Sequence, residues 1–442
     1  MPRIVNSQTK IPKWYIYALL IICAGCTGEN GQQTEFRYFK LGGLNRLFQP
    51  AAFGSGTAYI HHALSQDGQL APAGECGIGS LGDAAKAVLV YLRYAEISGE
   101  TASVEHAKAL LATIMQLQKP DGLFHDWIDA RGRPTRCNIN DAHSLSYSEV
   151  WAMWALAYGT KFLSDQDRPF AEKLHEAFWR SFAHVDSCLS HYGEYREQDG
   201  LQIPQWLPYR RSAAAASELI LAFDAISQSA LNDSRQSQRL ERAMRQFAEG
   251  IQRMQAGSAD QFPFGAHLAH GSDWHAWGNC AIQAVAITGA KFNQKDLIES
   301  AMLEADHFVP HLQKIQFAHH FNLLEARQNA NRIDHFPQSA GDIRPLVTGL
   351  IELSRLTGNR RYAQRAGEIA LWFRGKNAAH EAVYLTKTGL AKDYIFGRNY
   401  VMPTLTAAAT VEALLAILEV EANRDSRKEF YVDVKNVFEG KP

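Results

Sequence analysis

Residues 121–151 read DGLFHDWIDARGRPTRCNINDAHSLSYSEVW. The stretch begins as a polar run without a helical or strand period and passes directly into an apolar segment. At the junction, Ser146 and Glu149 have the spacing of a capping box, in which each side chain bonds the backbone N–H of the other residue. This spacing predicts a helix with Ser146 as its N-cap. A long polar loop therefore ends at a helix N-terminus, where free backbone N–H groups favour anions.

The same succession of polar loop and apolar segment recurs along the chain. The apolar segments begin near Ser80, Ser146, Arg211, Trp274, Ala340 and Pro403, at intervals of 63 to 66 residues. An interval this steady over six occurrences predicts an internal repeat. Amphipathic segments, which carry apolar residues on one face only, lie between them at 103–118, 169–185, 236–254, 295–309 and 361–374.

Each repeat is predicted to be a helical hairpin with one buried and one half-exposed helix. The connections within hairpins are short, such as 98–101 and 164–167, whereas those between hairpins run about 20 to 30 residues. A closed ring of hairpins fits this pattern, because its inner helices are covered on both sides and its outer helices on one. The long loops then share one end of the ring and surround the N-termini of the inner helices.

The closure of the ring is not decided by the repeat. The last apolar segment, 403–422, is followed by 425–440, which can supply a twelfth helix. Alternatively, residues 36–64 can fold back to close the ring. The sequence leaves both possibilities open.

Two local motifs resemble those of a known superfamily. One is QKPDGLF at 118–124 with Trp127, and the other is WFRGKN at 372–377, followed by a series of short motifs that ends at Ile395. Together with six hairpins of about 65 residues, they are similar to the six-hairpin glycosidase superfamily. The resemblance implies an all-α (α/α)6 toroid that acts on carbohydrate. Members include unsaturated glucuronyl hydrolases, glycosidases and sugar epimerases, with polysaccharide lyases in related toroids.

The sequence departs from the superfamily pattern at two places near its C-terminus. Leu385 follows Tyr384 where the superfamily pattern has Asp, and AAAT at 407–410 replaces Gly-Ala-Glu-Ser. Both departures put the activity in doubt more than the fold, since they affect residues beside the expected mouth of the ring.

The first residues resemble a bacterial lipoprotein signal. Three basic residues precede an apolar run at 14–23, which is followed by a small pair and Cys26. We expect a signal peptide at 1–25, lipidation of Cys26, a flexible tether at 26–35 and a single toroid domain at 36–442. An ordinary secretory signal is the alternative. Either signal implies export, and a lipid implies anchoring to a bacterial cell membrane, facing the periplasm or in the outer membrane.

Composition limits the classes of function. The chain has 45 Lys and Arg against 46 Asp and Glu, and 46% of its residues are hydrophobic. These values exclude a disordered chain and give no electrostatic surface for nucleic acid. We expect no cofactor. Beyond Cys26, the expected domain has four widely spaced cysteines, which either form disulfides in one of three pairings or stay free: Cys76, Cys137, Cys188 and Cys280.

The loops at the mouth carry the candidate site. We predict Asp141 and His143 in the second loop, and Asp273 and His275 in the fourth, as catalytic, because carboxylates and imidazoles serve acid–base chemistry. Aromatic and polar side chains beside them favour sugars, which have an apolar face and a rim of hydroxyls. The predicted substrate-binding residues are Trp127, Tyr147, Trp206, Arg211, Trp274, Trp277 and Asn279. No metal is expected, since the histidine spacings match no zinc signature.

Three functions fit these residues. Glycoside hydrolysis of an oligosaccharide or polysaccharide fragment is preferred, and it needs two carboxyl groups, one of them held protonated. The second is a polysaccharide lyase on a uronate-containing glycan, using Asn140, His143, Tyr147 and Arg211. The third is a non-catalytic glycan-binding or scaffold lipoprotein. The expected partners are a carbohydrate and, through the lipid, a membrane.

Overall fold

The computed structural model describes residues 36–50, 52–65, 67–137, 145–329 and 332–434. More than half of these residues are helical. Within these ranges fourteen α-helices occur: α1 (Gly42–Leu47), α2 (Leu81–Ser98), α3 (Thr101–Leu117), α4 (Tyr147–Leu163), α5 (Arg168–Leu189), α6 (Ala213–Ser227), α7 (Ser234–Arg253), α8 (Ala281–Phe292), α9 (Lys295–Lys314), α10 (Leu323–Gln328), α11 (Ala340–Thr357), α12 (Arg360–Ala370), α13 (Ala407–Ala422) and α14 (Arg424–Phe430). None of these described helices is both long enough and apolar enough to cross a membrane.

Twelve of the helices form six hairpins in two concentric layers. The inner layer is α2, α4, α6, α8, α11 and α13, and the outer layer is α3, α5, α7, α9, α12 and α14. Each inner helix packs against the next, and α13 packs against α2, which closes the ring. The predicted (α/α)6 toroid is therefore confirmed.

Four inner helices begin within two residues of the predicted positions, and two begin later. The helix expected near Trp274 starts at Ala281, because Asp273–His275 is a strand. The helix expected near Pro403 starts at Ala407, because Leu405–Thr406 pairs with the N-terminal segment. Backbone pairing across the loops overrides the apolar pattern at both places.

The two layers differ because their sequences bury different faces. In α6, AAAASELILAFDAIS, nearly every residue is buried, and small side chains at its start allow neighbouring helices to approach closely. In α7 the buried positions recur every three or four residues, from Leu240 through Phe247 to Ile251. The predicted capping box also forms, since Glu149 accepts the Ser146 N–H at 2.6 Å and Ser146 Oγ accepts the Glu149 N–H at 3.3 Å.

Both segments considered for closing the ring contribute to it. The short helix α14 packs against α12 and α13 as the last outer helix. The N-terminal segment crosses the end of α13, where the buried carboxylate of Glu421 accepts the backbone N–H groups of Arg37, Tyr38 and Phe39 at 2.9, 3.0 and 2.7 Å. Because one carboxylate satisfies three N–H groups, the segment is fixed to the ring.

Short strands in the described ranges form eight small sheets. They lie before α2 or in the long loops that lead into inner helices, so the loops share one end of the ring as predicted. The strands are β1 (Phe48–Pro50), β2 (Ala58–Ile60), β3 (Ala63–Leu64), β4 (Gly79–Ser80), β5 (Trp127–Ile128), β6 (Pro134–Thr135), β7 (Tyr195–Gln198), β8 (Leu201–Pro204), β9 (Gln255–Ser258), β10 (Gln261–His267), β11 (Asp273–His275), β12 (His320–Asn322), β13 (Ile333–Asp334), β14 (Gln338–Ser339), β15 (Tyr384–Leu385), β16 (Leu390–Ala391), β17 (Tyr394–Gly397), β18 (Tyr400–Val401) and β19 (Leu405–Thr406).

One disulfide joins two of the loops at this end. Cys76, before α2, is bonded to Cys137, in the loop before α4, with their Cα atoms 5.2 Å apart. Cys188 and Cys280 are free thiols. The four cysteines therefore form one pair and two free side chains.

Candidate active site

A cavity of about 480 Å³ opens at the loop end of the ring. Five inner helices reach it with residues of their first two turns, and the sixth, α8, reaches it through the loop that precedes it. The lining residues are Gly82, Lys86, Tyr147, Ser148, Trp151, Glu218, Trp277, Gly278, His319, Pro337, Ser339, Gly341, Asp393, Tyr394, Phe396, Ala408, Ala409 and Glu412.

Charged side chains from four inner helices meet on the ring axis. Lys86 Nζ lies 2.7 Å from Glu412 Oε1, and Arg344 Nε donates to Glu412 Oε2. Arg344 Nη2 lies 3.7 Å from Glu218 Oε1. Arg344 Nη1 donates a hydrogen bond to Cys280 Sγ at 3.4 Å. All of these side chains except Lys86 are buried, and Lys86 is half-buried. Such a network is costly to bury, so it is expected to serve a purpose beyond stability.

An indole lies against both cations. Lys86 Nζ lies 4.8 Å and Arg344 Cζ lies 4.9 Å from a ring centroid of Trp151. These distances allow cation–π attraction. The ring therefore helps to hold the two positive charges beside Glu412 and Glu218.

The two glutamates on the axis have opposite protonation states. Burial works against ionisation of Glu412, but the charges of Arg344 and Lys86 overcome it and lower the pKa of Glu412 to about 2. Burial dominates at Glu218 and raises its pKa to about 8, against the attraction of the same two cations. At neutral pH Glu412 is therefore ionised and Glu218 is protonated.

Glu218 makes no hydrogen bond of normal geometry with the described residues. Its side chain is 0% exposed, with Arg344 Nη2 as an ion-pair partner 3.7 Å from Oε1 and the Trp151 indole near it. Arg344 Nη2 likewise makes no hydrogen bond of normal geometry there. Buried polar atoms without partners are uncommon and mark places where a ligand or water supplies the missing bonds.

Gly278, in the loop before α8, lies close against Glu218. Gly278 has φ +67°, and a Cβ at this position would lie 3.2 Å from Glu218 Oε1. Both the left-handed backbone and the close approach favour glycine here. The loop before α8 therefore packs its backbone against the acid, and a larger residue at position 278 would press on Glu218.

A third carboxyl group stands at the side of the cavity. Burial raises the pKa of Asp393 to about 6, against a hydrogen bond of 3.1 Å from Thr406 Oγ1 to its Oδ1. Thr406 is the N-cap of α13, which fixes this carboxyl group next to the helix N-terminus. Asp393 is therefore mostly ionised at neutral pH, whereas Glu218 is protonated.

A histidine and a buried aspartate form a pair beside these groups. His319 Nδ1 lies 3.4 Å from Asp342 Oδ2, which also accepts the Ser339 N–H at 2.7 Å. Burial raises the pKa of Asp342. The pair fixes the imidazole ring of His319 at the wall of the cavity.

Two groups of aromatic rings line the cavity. In the first, Trp277 stacks on His275 with ring centroids 4.0 Å apart and meets Tyr147 edge-on at 4.9 Å. The second consists of Tyr394 and Phe396 from strand β17. Aromatic faces beside carboxyl groups are the surfaces on which sugar rings stack.

The described residues include no group of three or more His, Cys, Asp or Glu side chains arranged to hold a metal ion. Glu412 is paired with Lys86 and Arg344, and Asp393 accepts a hydrogen bond from Thr406.

Comparison with known proteins finds similarity in structure only. No family model and no curated protein matches the chain. Among solved structures, a cellobiose 2-epimerase from Spirochaeta thermophila matches with a TM-score of 0.58 at 12% identity, covering 84% of this chain and 90% of that one. A sugar epimerase from a ruminal bacterium matches with a TM-score of 0.55 at 13% identity, covering 81% and 91%. An α-1,6-mannanase from Salegentibacter matches with a TM-score of 0.52 at 12% identity, covering 85% and 95%.

These matches decide the fold. The chain has the six-hairpin glycosidase-like fold. At 10–15% identity they carry no activity over to it. The residues that line the cavity of this six-hairpin toroid must therefore be interpreted from their own chemistry.

The predicted catalytic residues of the fourth loop lie near the cavity but do not line it. The hydrogen bond from His320 holds the pKa of Asp273 below its usual value, and Asn322 Nδ2 donates to the same carboxylate at 2.9 Å. Burial lowers the pKa of His275 to about 3, so its neutral ring supports Trp277, and its Nδ1–H donates to the Trp277 carbonyl at 2.8 Å. The catalytic role of these two residues stays a prediction.

The other two predicted catalytic residues, Asp141 and His143, lie outside the described residues, as do the predicted signal peptide at 1–25, the tether and Cys26. The residues on either side of 138–144 are described. Cys137 is tied by the disulfide, and Leu145 is buried next to the start of α4.

Two predicted binding residues line the cavity, namely Tyr147 and Trp277. Arg211 is exposed away from it, Trp127 is half-buried in strand β5, and Asn279 braces the loop by donating to the His267 carbonyl at 3.1 Å. The polar and aromatic composition of the loops indicated the correct end of the ring, but it did not distinguish lining residues from bracing ones.

The prediction that Trp206 and Trp274 bind substrate is corrected by their burial. Both indoles are fully buried, so no ring face is available to a ligand. Trp206 Nε1 donates to the Gln246 carbonyl at 2.7 Å, and Trp274 stacks on Phe321 with ring centroids 5.2 Å apart. Each indole fastens its loop to the ring, which a large apolar side chain in a polar loop does as readily as binding.

Four residues of the site were missed because they lie inside inner helices. Three of them line the cavity and Arg344 lies behind them; each is at the fifth or sixth position of its mostly buried helix: Lys86, Glu218, Arg344 and Glu412. A charged residue at the same depth in several all-round apolar repeats was the signal that could have found them.

Proposed function

We propose that this chain is a glycoside hydrolase, with Glu218 as the general acid and Asp393 as the general base. The observation that carries the proposal is Glu218 itself. It is a fully buried carboxyl group at the edge of the cavity, and burial keeps it protonated up to about pH 8. Among the described residues it makes no hydrogen bond of normal geometry, and Arg344 Nη2 lies 3.7 Å from it. A general acid in glycoside hydrolysis needs these properties.

The environment of Asp393 supports its part in the reaction. Its pKa, raised by burial to about 6, leaves it ionised at neutral pH, and only Oδ1 is bonded by Thr406 among the described residues. Glu412 is less suitable as a base, because Lys86 and Arg344 occupy both of its oxygens. The proposed acid, Glu218, thus has a higher pKa than the proposed base, Asp393, as catalysis by this pair requires.

The proposed reaction uses one water molecule. Glu218 gives its proton to the glycosidic oxygen as the bond from that oxygen to the anomeric carbon breaks. Water adds to the anomeric carbon, and its proton passes to Asp393. Glu218 is left ionised beside Arg344, whose Nη2 is 3.7 Å away and stabilises the new charge. Proton exchange with solvent restores both groups.

The fold of the enzymes similar in structure also supports action on carbohydrate, since those proteins are named as sugar epimerases and a mannanase. Elimination is the second candidate, because Tyr147 lines the cavity as a possible proton carrier. Burial raises the pKa of Tyr147, however, so that it holds its proton at neutral pH and is a poor base. Hydrolysis therefore fits these groups better.

Product analysis on cello-, manno- and galacturono-oligosaccharides tests the proposal. We expect new reducing ends from at least one series, without the ultraviolet absorbance of an unsaturated product. Unsaturated products would establish elimination instead. An isomerised but uncleaved sugar would establish epimerisation, and binding without any product would favour the scaffold function.

Export and lipid anchoring at Cys26 belong to the same proposal. The disulfide between Cys76 and Cys137 supports export, because such bonds persist in oxidising compartments. Fractionation of the full chain tests the anchor, since recovery in the soluble fraction contradicts a lipid at Cys26.

A further inference from the structure

The most exposed large apolar side chains of the described residues are neighbours at the mouth of the cavity. Phe396 is 49% exposed and Tyr400 is 56% exposed. Their ring centroids are 6.3 Å apart, and Tyr394 follows on the inner side, 5.6 Å from Phe396. Tyr394 and Phe396 also line the cavity, whereas Tyr400 lies beyond it. These three rings form an aromatic track from the cavity to the outer surface.

The track lies on a fixed strand pair and not on a loose loop. Strand β17 pairs with β14 on one side and with β18 on the other, through Gln338↔Ile395 and Ile395↔Val401. Ile395 is fully buried, and the register of β17 with β18 is irregular between Ile395 and Gly397. The rings of Tyr394 and Phe396 are in contact, with centroids 5.6 Å apart. Tyr400 stands across from Gly397, which has no side chain to cover its ring. The rings are therefore held in place before any ligand arrives.

Phe396 and Tyr400 are adjacent and exposed, and Tyr394 is half-buried beside them. Contiguous exposed apolar side chains are a feature of binding surfaces. The track is continuous with the cavity, so its occupant must also enter the cavity. A chain of sugar residues meets this condition, because each residue offers an apolar face to one ring and its hydroxyls to water. The spacing of the rings is on the order of the length of one sugar residue.

We infer that the substrate is an oligosaccharide that extends out of the cavity over Phe396 and Tyr400, and that Tyr400 selects chains longer than the cavity holds. This inference rests on the proposed function, because it assumes that the end of the oligosaccharide inside the cavity is the part that is hydrolysed. A cavity of about 480 Å³ encloses only a short piece of a glycan. The remaining sugar residues of a longer oligosaccharide must therefore lie on the protein surface beside the cavity.

Calorimetric titration separates this inference from the catalytic proposal. The protein is the full chain carrying Glu218→Gln, which prevents turnover, and the probes are linear cello-, manno- and galacturono-oligosaccharides of two and five residues. We expect a pentasaccharide to bind more tightly than its disaccharide. Adding Tyr400→Ala should weaken pentasaccharide binding about tenfold, the effect of about 1.4 kcal/mol of lost stacking. Disaccharide binding should stay within about twofold.

Tyr192→Ala is the matched control. Tyr192 is 43% exposed and its hydroxyl donates to Glu249 at 2.6 Å, in the loop after α5 and away from the track. It should leave the affinity for both chain lengths unchanged. The inference is overturned if the pentasaccharide binds no more tightly than the disaccharide, if Tyr400→Ala weakens both equally, or if no probe binds.

The two proposals can fail separately. Suppose that affinity depends on oligosaccharide length and on Tyr400, but the wild-type protein releases no reducing ends. The hydrolase proposal is then wrong, and the proposal that oligosaccharides bind along the aromatic track is kept. If reducing ends are released at rates that depend neither on oligosaccharide length nor on Tyr400, the track proposal is wrong and the hydrolase proposal is kept.

Discussion

Glu218→Gln should lower the turnover of the hydrolysed oligosaccharide by about 10²- to 10⁴-fold, the scale expected for loss of a general acid. Glutamine keeps the shape of the side chain but has no acidic proton to give to the leaving oxygen. Substrate binding should persist, since Trp277, Tyr394 and Phe396 are unchanged. The measurement is the rate of reducing-end release at saturating substrate.

The same substitution should raise stability at neutral pH. Burial raises the pKa of Glu218 from 4.5 to about 8. As pH rises above 4.5, the unfolded chain releases this proton while the folded chain keeps it, so folding becomes less favourable until about pH 8. Glutamine has no such cost, and at pH 7 we expect a gain of about 3 kcal/mol in the free energy of unfolding. An inactive variant that is more stable distinguishes a catalytic acid from a structural residue.

Asp224→Asn is the control for both measurements. Asp224 lies at the other end of the same helix α6 and pairs with Lys291 at the surface at 2.9 Å. It should change activity less than twofold and stability by less than about 0.5 kcal/mol. If Glu218→Gln keeps full activity, or unfolds more easily than Asp224→Asn, then Glu218 is not the acid.

Arg344→Met should lower the free energy of unfolding by about 3 kcal/mol. Arg344 is buried on the ring axis and touches Glu412, Glu218 and Cys280. Methionine fills part of its volume but leaves the buried carboxylate of Glu412 with Lys86 as its only cation among the described residues. The removal of one partner of a buried pair is costly because the other charge stays behind.

The effect of Arg344→Met should depend on pH. The charges of Arg344 and Lys86, acting against burial, lower the pKa of Glu412 from 4.5 to about 2. The stability that this pairing gives is present above pH 4.5 and is lost as pH falls towards 2. The difference between the wild type and Arg344→Met should therefore narrow below pH 4.5, as measured by urea unfolding.

Arg355→Met is the matched control, because Arg355 lies on the same helix with its side chain 66% exposed and pairs only with Glu352 among the described residues. It should cost less than about 0.5 kcal/mol. Equal effects of the two substitutions would show that the axial charges do not behave as a buried network.

The fold was predictable because its determinants are repeated and local. The interval of 63 to 66 residues and the alternation of apolar and amphipathic segments define the six hairpins. Ser146 and Glu149 predicted the start of α4 correctly. Closure was not predictable, because Glu421 meets the backbone of residues 37–39 more than 380 residues earlier in the chain. Such a contact has no local signature in the sequence.

The site was predicted only in its location. Composition led to the loops, and Tyr147 and Trp277 do line the cavity. The protonation of Glu218 depends on burial and on Arg344, which comes from another helix two repeats later. Trp206 and Trp274 could not be recognised as buried, because the neighbours that cover them, such as Phe321, are distant in sequence. Sequence identifies residue types, whereas burial and pairing decide their chemistry.

The pH dependence of kcat/KM for oligosaccharide hydrolysis tests whether Glu218 is the acid. We expect a bell-shaped profile, with an acid limb near pH 6 from Asp393 and an alkaline limb near pH 8 from Glu218. The residual activity of Glu218→Gln should lack the alkaline limb. A wild-type rate that stays constant or rises above pH 8, or an alkaline limb that persists in Glu218→Gln, would contradict the assignment of Glu218 as the acid.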